Sequence, residues 1–145
     1  MGLILLDSTV VVGFLDADDA FHEASVAKLK EVISAHHLAA SVVSYAEVMT
    51  GVTLGHHPKA HVDGFFEAFI ASLLPVDRTI AARGAELRGR RRSLPMPDAL
   101  ILATADLNVD VETVICADGD WPKVAGLNCR VELLKVGAPN RNRVL

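Results

Sequence analysis

Five carboxylates fall where short apolar runs end or helices begin. They are Asp7 after Leu3-Ile4-Leu5-Leu6, Glu47 in Ser44-Tyr45-Ala46-Glu47, Asp98 after Pro95-Met96-Pro97, and Asp118 with Asp120 after Val114-Ile115-Cys116. In a parallel α/β sheet the carboxyl ends of the strands share one edge, and ligands bind in the crevice outside it. Acids far apart in the chain can meet there in one pocket. Carboxylates held together repel and take up protons unless a cation neutralises them. The pattern points to a divalent-metal site and to hydrolytic chemistry. Oxygen donors without a Cys/His cluster favour Mg²⁺ or Mn²⁺ over Zn²⁺. One or two such ions would lower the pKa of a bound water and neutralise charge building on a phosphate, as in-line phosphodiester hydrolysis requires.

Most of these acids also have an ordinary structural explanation. Ser44 to Glu47 spells a capping box, in which Glu47 bonds back to the Ser44 amide. Asp98 behind Pro97 sits in a first helical turn, where the macrodipole favours acids. Asp118-Gly119-Asp120 makes an ordinary turn. Asp7 differs, because an acid directly after an apolar strand is costly to bury without a partner. Recurrence at corresponding places favours the site.

Other chemistry-bearing residues are less specific. The run Arg88-Gly89-Arg90-Arg91-Arg92-Ser93 lies just before the Asp98 helix and should border the pocket. It is either a phosphate grip or a solvated helix end with arginines facing the dipole. His57 and His61 are four apart, a spacing that can bind zinc, but no third ligand is near. Cys116 and Cys129 make no CxxC pair and are expected to be reduced thiols. No GxGxxG or GxxxxGK[ST] supports nucleotide binding.

The elements that must position these acids alternate between strands and helices. Strands are expected at Leu3–Asp7, Leu38–Val43, Leu74–Val76, Val111–Cys116 and Val131–Leu134. Helices are expected from Ser8 or Thr9 through Leu15, from Asp18-Asp19 to Val32-Ile33, and from Ser44 to about Leu54-Gly55. Three more run from Pro58 through Leu73, from Arg78 to about Arg91, and from Pro97-Asp98 through Ala105, with one turn at Trp121–Val124. The alternation predicts a single parallel α/β domain over residues 1–145, with a loose tail over 136–145.

Composition agrees. The chain has 145 residues, 51% of them hydrophobic and few aromatic, as expected for strands covered on both faces. A net charge of −4 excludes a protein that coats nucleic acid through overall charge, so any such contact needs a local basic patch. The start has no basic n-region and Asp7 interrupts its apolar run, unlike a signal peptide. No apolar stretch approaches the roughly 20 residues needed to span a bilayer, so a cytoplasmic location is expected.

Leu6-Asp7-Ser8-Thr9, Ser44-Tyr45-Ala46-Glu47-Val48 with Gly51, Pro97-Asp98-Ala99-Leu100-Ile101-Leu102-Ala103-Thr104-Ala105, and Cys116-Ala117-Asp118-Gly119-Asp120-Trp121 together resemble the successive motifs of PIN-domain ribonucleases. The likeness is strongest to VapC-type toxins of bacterial toxin–antitoxin pairs and covers Leu3 to Leu134. It implies a three-layer α/β/α sandwich with a central parallel sheet. It assigns metal ligation and catalysis to Asp7, Glu47, Asp98 and Asp118, with Asp120 as an additional acid and Ser8 supporting the first Asp. It implies a Mg²⁺- or Mn²⁺-dependent endoribonuclease, an RNA substrate, a VapB-type antitoxin whose C-terminal segment occupies the pocket, and a homodimer. Val10-Val11-Val12 or Phe65-Phe66-Phe69 would supply an interface or else core. The chain departs from the pattern twice. Cys116 stands where a Thr is usual, removing a hydroxyl that would orient Asp118, and Trp121 replaces a Phe, a conservative change for packing.

Two other functions compete. A metal-dependent phosphatase or phosphotransfer domain of haloacid-dehalogenase type would want a second Asp two residues after Asp7, where Thr9 stands. A receiver domain would want paired acids at its first strand and a late lysine. An inert binding module of the same fold is the other alternative. The acids argue against it and Cys116 keeps it open.

Overall fold

Leu3–Leu6 forms strand β1, and its alternating side chains divide the core. Leu5 packs on one face of the sheet with Val114, Ile101, Leu102 and Trp121. Ile4 and Leu6 pack on the other with Val10, Leu38, Val48 and Phe65. A strand buried on both sides needs no polar alternation, which is why it reads as a continuous apolar run. The computed structural model describes residues 2–136, so the expected tail lies, beyond Val136, outside the described residues.

The other strands are β2 (His37–Ser41), β3 (Ile70–Leu74), β4 (Val111–Cys116) and β5 (Arg130–Leu133). All pair in parallel, in the order β3-β2-β1-β4-β5. Helices α1 (Ser8–Leu15), α2 (His22–Val32), α3 (Val42–Thr53) and α4 (Lys59–Phe69) bury residues against one face. Helices α5 (Arg78–Arg90) and α6 (Met96–Leu107) bury residues against the other. The result is the expected α/β/α sandwich. No helix among the described residues is long and apolar enough to cross a membrane.

Several boundaries differ from those expected. Helix α3 begins before Ser44, because Ser41 leaves β2 with extended backbone and accepts from the Val43 amide at 3.1 Å. The capping box therefore does not form, and the buried Ser44 hydroxyl has no partner among the described residues. Helix α2 starts at His22 rather than Asp18-Asp19. The Asp16 and Asp19 carboxylates accept from the amides of Asp18 and Phe21 at 2.9 and 2.8 Å, which holds the chain in turns. Pro58 caps α4 from outside rather than occupying its first turn. Leu73, counted into that helix, lies in β3, which replaces the strand expected at Leu74–Val76. Ile70, Ser72 and Leu74 are half-buried and Ala71 and Leu73 exposed, so a period of two follows the helical period directly.

The two apolar runs considered for an interface are taken up by the core. Val10, Val11 and Phe65 are buried in it, and Val12, Phe66 and Phe69 pack against it. Helices α1 and α2 approach closely at Gly13, where a Cβ would lie 2.5 Å from Ser25 Oγ and 3.2 Å from the Phe21 carbonyl oxygen. Gly13→Ala is expected to cost about 1–3 kcal/mol through overpacking. Urea denaturation would show a lower midpoint with an unchanged slope.

Candidate metal centre at the carboxyl edge of the sheet

The strand order reverses between β1 and β4, which opens a crevice beyond their carboxyl ends. Asp7 stands at that point as the N-cap of α1. Its amide still donates to the Ile115 carbonyl at 3.0 Å, pinning the backbone to β4. Oδ1 accepts the Ser8 amide at 2.7 Å, and Oδ2 accepts the Thr9 hydroxyl at 2.6 Å. The residue is only 4% exposed. Burial pushes its carboxyl up to about 6; the Thr9 and Ser8 hydrogen bonds oppose this, and the charges of Asp98 and Glu47 add to it.

Glu47 reaches the same edge from α3. The Ser8 hydroxyl donates to Glu47 Oε1 at 3.1 Å and lies 3.4 Å from Asp7 Oδ1. One hydroxyl proton thus sits between two carboxylates from different elements. Burial raises the Glu47 carboxyl and the Asp98 charge raises it further, against the bond from Ser8.

Asp98 lies in the first turn of α6. That helix leads into β4 and so runs back from the carboxyl edge, which puts its start beside the crevice. The Trp121 indole N–H donates to Asp98 Oδ2 at 2.9 Å. Burial raises the Asp98 carboxyl, Trp121 opposes it, and the Asp118 charge adds to it. Asp118 follows β4, with Oδ1 accepting the Asp120 amide at 2.8 Å. The Cys116 thiol, where a hydroxyl was expected to be missed, reaches the Asp118 carbonyl at 3.7 Å rather than its carboxylate. Burial pushes that thiol up to about 12, and the Asp7 charge adds to the rise.

Asp120, expected as an additional acid, is engaged by a cation, unlike the other acids. Arg91 holds its carboxylate through two nitrogens, Nε at 3.0 Å, and the Ser93 hydroxyl donates at 2.9 Å. Arg91 first, then Ser93, pull the Asp120 carboxyl down to about 2. The arginine run is also largely engaged within the chain. Arg88 donates to the Arg92 carbonyl at 2.6 Å, Arg90 pairs with Glu86 at 2.9 Å, and Arg92 is exposed. Arg90, Arg91 and Lys123 line a cleft with Leu87, Val124 and Gly126. His57 Nε2 donates to the Val48 carbonyl at 3.0 Å, and His57 does not pair with the exposed His61. Both cysteines are free.

Among the described residues, no Lys, Arg or His pairs with Asp7, Glu47, Asp98 or Asp118. The charge of Asp98 acts on Asp7 and Glu47, that of Glu47 on Asp7, and that of Asp118 on Asp98, so the four acids form a chain of neighbours at this edge. They do not form a closed cage: no three His, Cys, Asp or Glu side chains among the described residues gather tightly enough to hold an ion as they stand. The expected convergence is therefore an open cluster. Its donor set still fits a hard divalent cation, being all oxygen and unpaired with any described side-chain cation, with burial driving Asp7, Glu47 and Asp98 toward protonation while Asp118 is exposed. A groove lined by Thr9, Val12, Phe21 and Glu47 leads to it.

Sequence reasoning missed two residues here. The sequence marks Thr9 as a helix start, as part of the first motif and as the residue standing where a phosphatase would want Asp, but not as a partner of Asp7, whose Oδ2 its hydroxyl binds. The sequence marks Trp121 for packing, yet its indole N–H binds Asp98. Only the presence of an indole N–H where the resembling family carries Phe signalled the second.

The PIN domain family model matches residues 4–127. Among solved structures, FitAcB from Neisseria gonorrhoeae is 26% identical, with a TM-score of 0.68 over 89% of this chain and 96% of that one. VapBC2 from Rickettsia felis, bound to a promoter DNA fragment, is 15% identical, with a TM-score of 0.72 over 92% and 99%. VapC20 from Mycobacterium tuberculosis, a sarcin-ricin loop cleaving toxin, is 16% identical, with a TM-score of 0.66 over 88% and 98%. The last two likenesses concern the fold alone. No curated protein matches the chain.

Proposed function

This chain belongs to the PIN domain family, and from that membership we propose that it is a divalent-metal-dependent endoribonuclease, the toxin of a toxin–antitoxin pair. One observation carries the proposal: a buried Asp7 at the strand-order reversal feels the charges of Glu47 and Asp98, and among the described residues no side-chain cation pairs with these acids. A phosphodiester brings more negative charge, so such a crevice accepts one only with positive charge supplied from outside the chain.

Asp7, Glu47, Asp98 and Asp118 would hold Mg²⁺ or Mn²⁺. Such an ion supplies charge neutralisation at phosphate and a nucleophilic water near neutral pH. The chain's own work is positioning. Ser8 ties Asp7 to Glu47, Thr9 fixes the second Asp7 oxygen, and α6 presents Asp98. Water adds across one P–O bond of the RNA backbone, giving one phosphate end and one hydroxyl end. Asp120 serves the site indirectly, by holding Arg91 against the loop after β4, while the exposed Arg92 and Lys123, with Arg90 once it leaves Glu86, would meet the RNA backbone.

The partners follow from the same reading. A similar solved structure named as a toxin–antitoxin complex supports an antitoxin partner for this chain, and a homodimer belongs to the same proposal. The test is to incubate the purified chain with total cellular RNA and map new ends, with Mg²⁺ or Mn²⁺ and with chelator. New ends that need the added ion are expected. Cleavage undiminished by chelator would sink the metal-dependent reading, and turnover of a chromogenic phosphomonoester without RNA cleavage would make it a phosphatase.

A further inference from the structure

Trp121 is 0% exposed and forms, with Pro122 and Lys123, the short helical turn after β4. A buried indole N–H needs an acceptor, and here the acceptor is a carboxylate proposed to hold metal. The two partners differ in freedom. The indole is fully buried in the core cluster that includes Leu5, Ile101, Leu102 and Val114, whereas Asp98 is half-exposed on a first helical turn. The fixed ring therefore sets the rotamer of the freer carboxylate.

The loop that carries Trp121 is itself tied down on both sides. Arg91 and Ser93 hold Asp120, the residue before it. Farther along, Arg83 donates to the Gly126 carbonyl at 3.1 Å, and the Asn128 amide donates to Asp106 at 2.6 Å. These ties run to α5, to the segment after it and to α6, the helix that bears Asp98. Ring and carboxylate are thus referenced to one rigid body.

We propose that Trp121 is a positioning residue: its indole N–H, held by the core and the anchored loop, orients the Asp98 carboxylate for the divalent ion. This rests on the metal-dependent reading above. Partners that orient ligating groups typically contribute about 10–100-fold to metal affinity. A phenylalanine at this position fills similar space and offers no donor, so the bond belongs to this chain's own residue.

Because the chain has a single tryptophan, replacing tryptophan throughout the protein changes position 121 alone. Benzothienylalanine keeps the bicyclic shape and puts sulfur in place of N–H; 5-fluorotryptophan keeps the N–H. Mn²⁺ binding to each full-length protein is measured by calorimetry, beside Trp121→Phe and thermal melting without metal. The expected result is about tenfold or more weaker binding for benzothienylalanine and Trp121→Phe, and unchanged binding for fluorotryptophan. Melting of the benzothienylalanine protein should match the unsubstituted chain. Equal Mn²⁺ affinity with and without the N–H overturns the proposal and leaves the metal reading standing. No Mn²⁺ binding by the unsubstituted chain overturns both.

Discussion

Asp7→Asn is expected to abolish RNA cleavage, by about a thousandfold or more, while making the metal-free protein more stable at pH 8. The loss follows from the role proposed for Asp7 in holding the ion. Stabilising a transferring phosphate in this way is worth several kcal/mol, and about 4 kcal/mol corresponds to a thousandfold. The gain follows from burial. The folded-state pKa of Asp7 is about 6 against an ordinary 3.8, so the folded protein holds that proton more tightly than the unfolded chain does. The stabilisation from the protonated form is complete below about pH 4 and is lost as pH rises through 6. By pH 8 the ionised group costs up to about 3 kcal/mol. Asparagine stays neutral and still accepts from the Ser8 amide. Urea denaturation with chelator should therefore show the variant more stable at pH 8 and about equal at pH 4. Retained cleavage, or a variant less stable at pH 8, would remove Asp7 from the centre of the site.

Arg83→Ala should be the most damaging change outside the site, at about 3–5 kcal/mol, because it strands a buried charge. Asp106 is 5% exposed, accepts Arg83 Nε at 2.8 Å and also accepts the Asn128 amide. Without Arg83, that carboxylate stays in the core with no cation, and the Gly126 carbonyl loses its donor. A double variant, Arg83→Met with Asp106→Asn, should recover part of the loss, since no unpaired charge is left. The check is a double-mutant cycle in urea. An Arg83→Ala loss below about 1 kcal/mol would mean that Asp106 is not held by this pair.

Residues whose cause is local were legible in the sequence; those whose cause is tertiary were not. Asp7 could be read directly, as an acid closing an apolar strand. The positions of Glu47 and Asp98 could be read from their helix starts, although Glu47 got there for another reason than the one inferred. Ser41 and Ser44 are both competent caps, and only the extended backbone at the end of β2 decides between them. The end of α4 was hidden because Phe69, Ile70 and Leu73 satisfy a helical spacing while the last two belong to an edge strand. The Arg91–Asp120 and Trp121–Asp98 contacts join residues 29 and 23 apart, and nothing local in the chain marks either pairing.

The thiol of Cys116 is fully buried at the end of β4, where burial pushes its pKa up to about 12 and the Asp7 charge adds to the rise. Only the thiolate is oxidised or alkylated readily, and at neutral pH almost none is present. Air, peroxide and iodoacetamide therefore find no handle there, and preparing the protein calls for no reductant on that residue's account.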